Sequence, residues 1–425
     1  MTGLESALLD AARAADHRDA CARLDAGDRL ASCRDRFALP EGLIYLDGNS
    51  LGPLPRGVPE RLHRVVHDEW GDGLVRSWNA AGWIDLPARV GARIAPLIGA
   101  QPGDVLVADS TSINLFKVLA AALRLRPDRH AIVTERDNFP SDLYVAQGLV
   151  AHLGGHHVLR MVDGDALADA IDEDVAVVML THVDYRTGRM HDMAAVTAAA
   201  HGAGALALWD LAHSAGAVPV DVTASGADMA IGCGYKYLNG GPGAPAFVYV
   251  APALQALTVS PLTGWLGHAA PFAFDPAFHP ADGIRRMQCG TPAILALAAL
   301  DAALDAWEGV AMADVRAKSL ALSELFIARA TADCAPLGAT VALPLPPERR
   351  GSQVSLRHPQ GYAVMQALIA RGVVGDFRTP DLMRFGFAPL YTRYVDVWDA
   401  VAMLHDVLAS GAWDRPEFRE RAAVT

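Results

Sequence analysis

Through the middle of the chain, short apolar runs alternate with stretches whose apolar residues recur at helical spacing. Short runs bounded by glycine and polar residues are typical of buried strands. Helices are predicted at about Ser112–Leu123 and Ser141–Leu153. The predicted strands are Val105–Ala108, Ala131–Thr134, His157–Met161, Val175–Leu180, Ala205–Trp209, Met229–Gly232 and Ala246–Val250. This alternation predicts an α/β fold with a mostly parallel central sheet, and ligands of such sheets lie at the carboxyl ends of the strands.

The pattern changes after about residue 285. Two long Ala/Leu-rich helices are predicted at about Pro292–Trp307 and Val310–Ala332, and a last helix near Val395–Ala409. A proline-rich loop is predicted at Leu343–Pro347, and short strands are predicted at Gln353–Arg357, Val373–Phe377 and Met383–Phe387. The pattern therefore predicts an N-terminal segment at 1–50, a large domain at 51–290 and a smaller α+β C-terminal domain at 291–425.

Composition narrows the class of protein. Hydrophobic residues make up 52% of the 425 residues and charged residues 20%, which permits a sizeable core. The net charge of −12 argues against a general binder of nucleic acid or of anionic membranes. No stretch approaches the roughly 20 apolar residues that span a bilayer, and the acidic residues near the N-terminus do not suit a signal peptide. Five scattered cysteines without a CxxC pair indicate a reducing compartment, so a cytoplasmic protein is expected.

Lysine is scarce in this chain. Only three of the 36 Lys and Arg residues are lysine, namely Lys117, Lys236 and Lys318. A desolvated lysine can lose its proton and attack a carbonyl carbon, whereas arginine stays protonated. Lys236 lies in the glycine-rich segment Gly232–Gly243, where the backbone can approach a ligand closely. Lys236 is therefore a candidate nucleophile, although an ordinary lysine on a flexible surface loop explains this segment equally well.

A carboxylate follows the preceding predicted strand. Asp210 comes directly after Ala205–Trp209, one βα unit before Lys236. Pyridoxal phosphate (PLP) enzymes need a lysine to hold the cofactor aldehyde and a carboxylate to keep the pyridine nitrogen protonated, so that the ring accepts electrons. Capping of the next helix is an equally good account of Asp210 by itself. The pair of Asp210 and Lys236 at one edge of the sheet favours a PLP site.

Two further segments join a predicted strand to a predicted helix. Asp109–Asn114 carries hydroxyl groups at a helix start, where free backbone N–H groups can bind a phosphate. Asn138–Asp142 contains Phe139, which could stack on a flat ring, and Pro140, which suits a first helical turn. Ordinary helix capping, with a core phenylalanine in the second case, is the competing interpretation of both segments.

Two other kinds of site were weighed against this one. Gly48–Gly52 matches the G-x-S-x-G nucleophile elbow, with Asp210 and His213 in the order of a hydrolase triad. The prolines that follow the motif at once do not suit the helix that an elbow requires. His63 and His67 share a helix face but lack an HExxH motif and a third ligand, so no metal site is predicted.

Taken together, these residues resemble the kynureninase family, whose members are fold-type-I PLP enzymes related to class V aminotransferases. The similarity extends over nearly the whole chain, and the order and spacing of its segments are more specific than any one of them. The segments are Tyr45–Gly52, Phe139–Asp142, Asp210–His213, Tyr235–Asn239, Gly264–His268 and Arg384–Pro389. By this resemblance, Gly48–Gly52 is a structural and substrate-side turn instead of a nucleophile elbow.

The resemblance implies a role for each site residue. Lys236 binds the cofactor covalently, Asp210 pairs with the pyridinium nitrogen, and Tyr235 donates a proton. The implied cofactor contacts are Thr111, Ser112, Phe139, Pro140, Ser141, Asp142, Thr181, Asp210, His213, Tyr235, Lys236, Trp265 and Thr291. Trp265 and Thr291 are expected to reach the site of a neighbouring subunit, which implies a homodimer with shared active sites. The implied substrate contacts are Arg384, through a bidentate pair with a carboxylate, together with Asn49 and Trp70.

The activity implied is hydrolytic Cβ–Cγ cleavage of L-kynurenine to anthranilate and L-alanine. Gly290-Thr291 stands where vertebrate-type members that act on 3-hydroxykynurenine have Ser-Asn, so plain L-kynurenine is the expected substrate. The alternatives are another fold-type-I enzyme, such as a cysteine desulfurase or an aminotransferase, and a non-catalytic binding protein. A desulfurase needs a cysteine on a mobile C-terminal loop, and Cys334 lies at a predicted helix end without a flexible Gly/Ser loop.

Overall fold

The computed structural model describes residues 3–343 and 346–421, which form a mixed α/β structure. The strands are β1 Ile44–Tyr45, β2 Val105–Val107, β3 Ala131–Glu135, β4 Val158–Val162, β5 Val175–Thr181, β6 Leu206–Asp210, β7 Met229–Cys233, β8 Ala246–Val250, β9 Thr340–Val341, β10 Gln353–Arg357, β11 Val373–Val374, β12 Asp376–Arg378 and β13 Leu382–Gly386. The α-helices are α1 Gly3–Arg13, α2 Arg18–Ala26, α3 Val58–Arg64, α4 Ser77–Ala80, α5 Leu86–Ile94, α6 Thr111–Leu125, α7 Pro140–His152, α8 Met193–Gly202, α9 Pro252–Gln255, α10 Ile294–Ala303, α11 Met312–Asp333, α12 Gly361–Ile369 and α13 Tyr394–Ser410.

The central sheet has seven strands in the order β2-β8-β7-β6-β5-β3-β4. Its strands pair in parallel except β8, which runs antiparallel to both β2 and β7. Strands β5 to β8 are buried along their whole length, as continuous apolar runs require when helices cover both faces of a sheet. The mostly parallel sheet predicted from the hydrophobic pattern is confirmed, and each predicted strand overlaps an observed one.

The C-terminal part contains the long helices, short strands and last helix that the sequence predicts. A four-stranded antiparallel sheet, β12-β13-β10-β9, packs against α11 and α12, and α13 packs on both of these helices. The predicted strand Val373–Phe377 is divided at Gly375, where an added Cβ would lie 2.6 Å from the Arg384 carbonyl oxygen. Helices α1, α2, α4, α5, α9 and α12 have no counterpart among the predicted elements, whereas α3 contains His63 of the expected His63–His67 helix face. Pro344 and Leu345 of the predicted proline-rich loop lie outside the described residues.

Three large hydrophobic cores underlie these sheets. The first packs one face of the central sheet against later residues as far as Tyr391. The second packs the other face of that sheet against α6 and α7. The third joins α11 to α13 with residues of the N-terminal segment, including Ala12 and Leu46. The division into 1–50, 51–290 and 291–425 stays a prediction, but apolar packing links the first and last of these parts. In the described part of the chain, no helix has both the length and the apolar composition needed to cross a membrane.

Candidate active site

Lys236 lies three residues beyond β7, at the carboxyl edge of the central sheet. Its side chain is buried, and its Nζ lies 5.8 Å from the centroid of the Phe139 ring. Lys117 and Lys318 are also buried, but each forms a short ion pair, with Asp109 and Asp28 respectively. Among the described residues Lys236 Nζ has no hydrogen-bond or ion-pair partner. Lys236 is therefore the buried amine that is left available for chemistry.

The glycines around Lys236 have a different use from the predicted one. A Cβ on Gly234 would lie 2.5 Å from the Pro245 carbonyl oxygen, and one on Gly240 would lie 2.7 Å from Leu300. These glycines therefore allow the lysine loop to pack tightly within its own chain, instead of leaving room for a ligand. The loop also packs against the Gly48–Gly52 turn, because the Gly52 amide donates to the Tyr235 carbonyl at 2.8 Å.

A group of buried carboxyl and hydroxyl side chains lies beside Lys236. Asp210 ends β6 and pairs in register with Thr181, which ends β5. The Asp210 carboxylate accepts a hydrogen bond from the Ala212 amide at 2.7 Å. Burial raises the pKa of Asp210, and burial followed by the charge of Asp210 raises the pKa of Asp142. Because both carboxyl groups are buried and interact with each other, they would stabilise a cation bound beside them, such as a protonated pyridine nitrogen.

Two other titratable groups complete this part of the site. Burial, followed by the charge of Lys236, lowers the pKa of His213 well below its ordinary value, so the imidazole is neutral. Its Nδ1 is buried without a hydrogen-bond partner among the described residues. Burial raises the pKa of Tyr235, which keeps the phenol protonated and able to donate a proton.

The first turn of α6 fits an anion. Ser110 caps the helix, accepting a hydrogen bond from the Ile113 amide at 3.4 Å, and Thr111 and Ser112 follow in the first turn. Asp109 precedes the cap, and its carboxylate is ion-paired at 2.7 Å with the buried Lys117. The pair neutralises the acidic group next to the positive end of the helix dipole, which favours binding of a phosphate there.

Arg384 is almost completely buried and is held by three partners. It forms a two-point ion pair with Asp376, its cross-strand neighbour, with Nε donating to Oδ1 at 2.6 Å. Its Nη1 donates to the Tyr185 carbonyl, and its Nη2 donates to Ser50 Oγ at 3.2 Å. One edge of the guanidinium therefore already binds a carboxylate of the protein. Ser50 in turn donates to Asp376 at 2.7 Å, so its hydroxyl proton is bound by a carboxylate instead of by the histidine base of a Ser-His-Asp triad.

Tyr185, which the sequence patterns do not single out, connects this arginine to Phe139. The Tyr185 carbonyl accepts from Arg384, and its ring lies edge-on to Phe139 with centroids 5.1 Å apart. Phe139 caps α7 and faces Lys236. Asp376 could have been found in the sequence as the hairpin partner of Arg384, but nothing local marks Tyr185. The structure thus brings Lys236, Phe139 and Arg384 into one cleft.

The remaining predicted contacts lie on other surfaces. Trp265 and Thr291 are exposed, and their segments are joined by a hydrogen bond from the Leu266 amide to the Cys289 carbonyl at 3.3 Å. Trp70 is 56% exposed on the π-helix Val65–Gly73. In the described residues, no hydrogen bond, ion pair or ring contact joins these three side chains to Lys236 of the same chain. Asn49 is fully buried against Gly386, and neither of its amide atoms has a hydrogen-bond partner in the described part of the chain.

Known proteins supply the context for this geometry. Residues 315–404 match the family model described as the kynureninase C-terminal domain. A kynureninase of Burkholderia pseudomallei (strain 1106a) is 55% identical over 413 residues, covering 96% of this chain and 99% of that protein. The chain belongs to the kynureninase family. The predicted resemblance is therefore confirmed at the level of the family.

The fold of this kynureninase-family chain is shared more widely. A cysteine desulfurase of Thermococcus onnurineus NA1 superposes with a TM-score of 0.74 at 20% identity, covering 89% of this chain and 98% of the other. A mutant of the protein C-DES, with glycine covalently linked to its PLP cofactor, gives a TM-score of 0.76 at 19% identity and covers 88% and 99% of the two chains. These similarities confirm the predicted fold-type-I PLP architecture.

The site residues of this kynureninase-family member fit PLP. The 5.8 Å between Lys236 Nζ and the Phe139 centroid leaves space for a flat ring at the usual contact distance of about 3.5–4 Å. His213 Nδ1, which has no partner within residues 3–343 and 346–421, and the buried Asp210 carboxylate supply polar groups around such a ring. The first turn of α6 would hold the phosphate, Asp210 the ring nitrogen and Lys236 the aldehyde carbon.

A metal site and a desulfurase cysteine have weaker support than a PLP site. Among the described residues, no group of three or more His, Cys, Asp or Glu side chains could hold a metal ion. Cys334 is completely buried at the end of α11, and burial raises its pKa to about 12. A thiol in this setting is neither ionised nor accessible, which argues against a desulfurase nucleophile.

Proposed function

We propose that this chain is a PLP-dependent hydrolase that cleaves L-kynurenine between Cβ and Cγ, giving anthranilate and L-alanine. The observation that carries the proposal is the buried amine of Lys236, which has no polar partner in the described part of the chain and faces Phe139 at the end of the sheet that also presents Asp210. The identity of 55% with a kynureninase over nearly the whole chain supports the choice of reaction.

Each residue has a defined task in this proposal. When bound, PLP would supply an electron sink for charge that develops on the substrate. Arg384 binds the substrate carboxylate, and the amine of Lys236, once released, takes the α-proton. Water adds to the γ-carbonyl carbon, and the protonated phenol of Tyr235 supplies a proton. The neutral His213 adds no positive charge that would compete with a protonated ring nitrogen for Asp210.

The choice of L-kynurenine over 3-hydroxykynurenine rests on Gly290-Thr291. Thr291 is exposed beside a cavity of about 190 Å³ that is also lined by Asp109 and Gln288. Its side chain has no amide group of the kind that the Ser-Asn pair would present to a ring hydroxyl. L-kynurenine is therefore the proposed substrate, and 3-hydroxykynurenine a poorer one.

The test is a fluorescence assay for anthranilate. Purified protein with PLP and L-kynurenine should release anthranilate and L-alanine in equal amounts. A second reaction with 3-hydroxykynurenine should have a lower kcat/KM. Release of sulfide from L-cysteine, or transfer of an amino group to a keto acid without anthranilate, would contradict the proposal in favour of another fold-type-I enzyme.

We also place the active enzyme in the cytoplasm as a homodimer with shared sites. Trp265 is 40% exposed, and the nearby Phe272 and Phe274 are 62% and 77% exposed. Large apolar side chains concentrated on one segment are typical of a protein interface. All five cysteines are free thiols, which fits a reducing compartment.

Shared sites predict that two defective chains can complement each other. Co-expression of a Lys236→Arg chain with a Trp265→Ala/Thr291→Ala chain should restore about a quarter of wild-type activity. The reason is that half of the dimers are mixed, and each mixed dimer contains one site with native Lys236, Trp265 and Thr291. The measurement is anthranilate release by the co-purified mixture and by each variant separately. If Trp265 and Thr291 serve their own chain, the mixture will be no more active than the average of the separate variants.

A further inference from the structure

The hydrogen bonds of Arg384 leave little of it for a substrate. Nε and Nη2 face Asp376, Nη2 also meets Ser50 Oγ, and Nη1 meets the Tyr185 carbonyl. A bidentate pair through Nε and Nη2 would have to displace Asp376, which is itself buried and charged. A substrate carboxylate can therefore meet only the outer end of Arg384 without breaking this arrangement. The cleft needs another donor if a carboxylate is to be bound at two points.

Arg378 lies beside Arg384 on the same face of the C-terminal sheet. Asp376 and Arg378 are two residues apart on β12, so their side chains point to one face, and Arg384 is the register partner of Asp376. Arg378 Nη2 lies 2.8 Å from Asp376 Oδ2, and Nη1 donates to the Phe377 carbonyl at 2.9 Å. Unlike Arg384, which is 2% exposed at its side chain, Arg378 is 36% exposed there.

The group formed by Arg378, Arg384, Asp376 and Asp47, called the arginine cluster, carries more positive than negative charge. Asp376 is the carboxylate shared by both arginines. Asp47 is the other acidic group nearby, and burial together with the charge of Asp376 raises its pKa to about 7. At neutral pH Asp47 is therefore only partly ionised, and the cluster keeps positive charge. The charge of Arg378 also acts slightly on the pKa of His213 and of Tyr185, so Arg378 lies within electrostatic range of both groups.

From this geometry we infer that Arg378 is a second substrate-binding residue, which shares the α-carboxylate of the amino-acid substrate with the outer end of Arg384. Asp376 holds the two guanidinium groups side by side and acts as their positioning residue. The inference rests on the proposed function, because it assigns Arg378 to the same substrate. In this arrangement the buried Arg384 is held in place by the protein, and the partly exposed Arg378 is accessible to the substrate.

Kinetics of Arg378→Gln and Arg378→Lys test this assignment. Arg378→Gln should raise KM for L-kynurenine about tenfold or more and leave kcat within about threefold, since a charge-assisted hydrogen bond to the bound substrate is lost. Arg378→Lys should recover part of the loss. The inhibition constant of the amine analogue that lacks the α-carboxylate should be the same in wild type and in Arg378→Gln. The matched control is Arg357→Gln, an arginine of β10 with similar exposure whose partner is Asp381.

The possible outcomes separate the inference from the function. If wild type releases no anthranilate, the proposed function is wrong. If wild type is active and Arg378→Gln keeps the wild-type KM, the inference about Arg378 is wrong. If Arg378→Gln raises the inhibition constant of the analogue by the same factor as the KM for L-kynurenine, Arg378 only maintains the structure of the site. This result would also overturn the inference.

Discussion

Replacing Lys236 by arginine should abolish covalent attachment of PLP and lower kcat by at least about 10³-fold. Arginine keeps the positive charge at this position, but it does not lose its proton and cannot attack the cofactor aldehyde. Borohydride reduction followed by mass spectrometry measures the attachment directly. Wild type should gain the mass of the reduced cofactor on the peptide that contains Lys236, and the variant should not.

Lys318→Arg is the matched control for this experiment. Lys318 is also a buried lysine, but it is ion-paired with Asp28 at 2.6 Å and donates to the Pro389 carbonyl at 2.7 Å. Arginine can keep an ion pair, so this variant should still attach PLP at Lys236. A Lys236→Arg protein that retained the covalent cofactor and normal turnover would refute the role given to Lys236.

Replacing Asp210 by asparagine should have two effects of opposite sign. Activity should fall by at least about 10²-fold, the usual cost of removing one preorganised electrostatic partner. The cofactor-free protein should instead become more stable at pH 8, with a melting temperature higher by roughly 2–4 °C. The reason is that burial raises the folded-state pKa of Asp210, so wild type loses stability as pH rises from the ordinary carboxyl pKa through the folded-state pKa.

Thermal melting with and without PLP measures both effects. The stabilisation of Asp210→Asn should disappear below about pH 4, where the carboxyl group is protonated in the folded and the unfolded wild-type protein. Saturating PLP should raise the melting temperature of wild type more than that of the variant. Asp228→Asn, at the opposite end of β7, should keep the full response to PLP. An equal response in Asp210→Asn and wild type would show that Asp210 does not pair with the ring.

Much of the site could be predicted because its residues stand next to strong local signals. Apolar runs mark the strands, so Asp210 and the Lys236 loop could be placed at the carboxyl edge of the sheet from the pattern alone. The first turns of α6 and α7 carry the predicted residues Thr111 and Asp142. In each case the periodicity of one element determines where its ends lie, and the ends carry the functional groups.

The glycines near Lys236 show where such signals mislead. Their number suggests open space for a ligand, yet Gly234 and Gly240 are required by contacts with Pro245 and Leu300, which are distant in the sequence or in another element. The predicted bidentate role of Arg384 depends in the same way on Asp376, whose carboxylate occupies one edge of the guanidinium. No local pattern shows the glycine contacts, and the Asp376 contact follows only once the register of the β12–β13 hairpin is known.

By itself, the sequence determined the mostly parallel α/β architecture and the candidate lysine and carboxylate, since these depend on periodicity and on residue type. The family followed from the resemblance of its ordered motifs. Only the tertiary structure decided which lysine is free. All three lysines are buried, but Asp109 and Asp28 neutralise Lys117 and Lys318 through ion pairs, and Lys236 has no such partner among the described residues. The tertiary structure also set Ser50, Tyr185 and Asp376 around Arg384. Ser50 and Tyr185 come from segments far from Arg384 in the sequence, and only long-range packing brings their polar groups within hydrogen-bond distance.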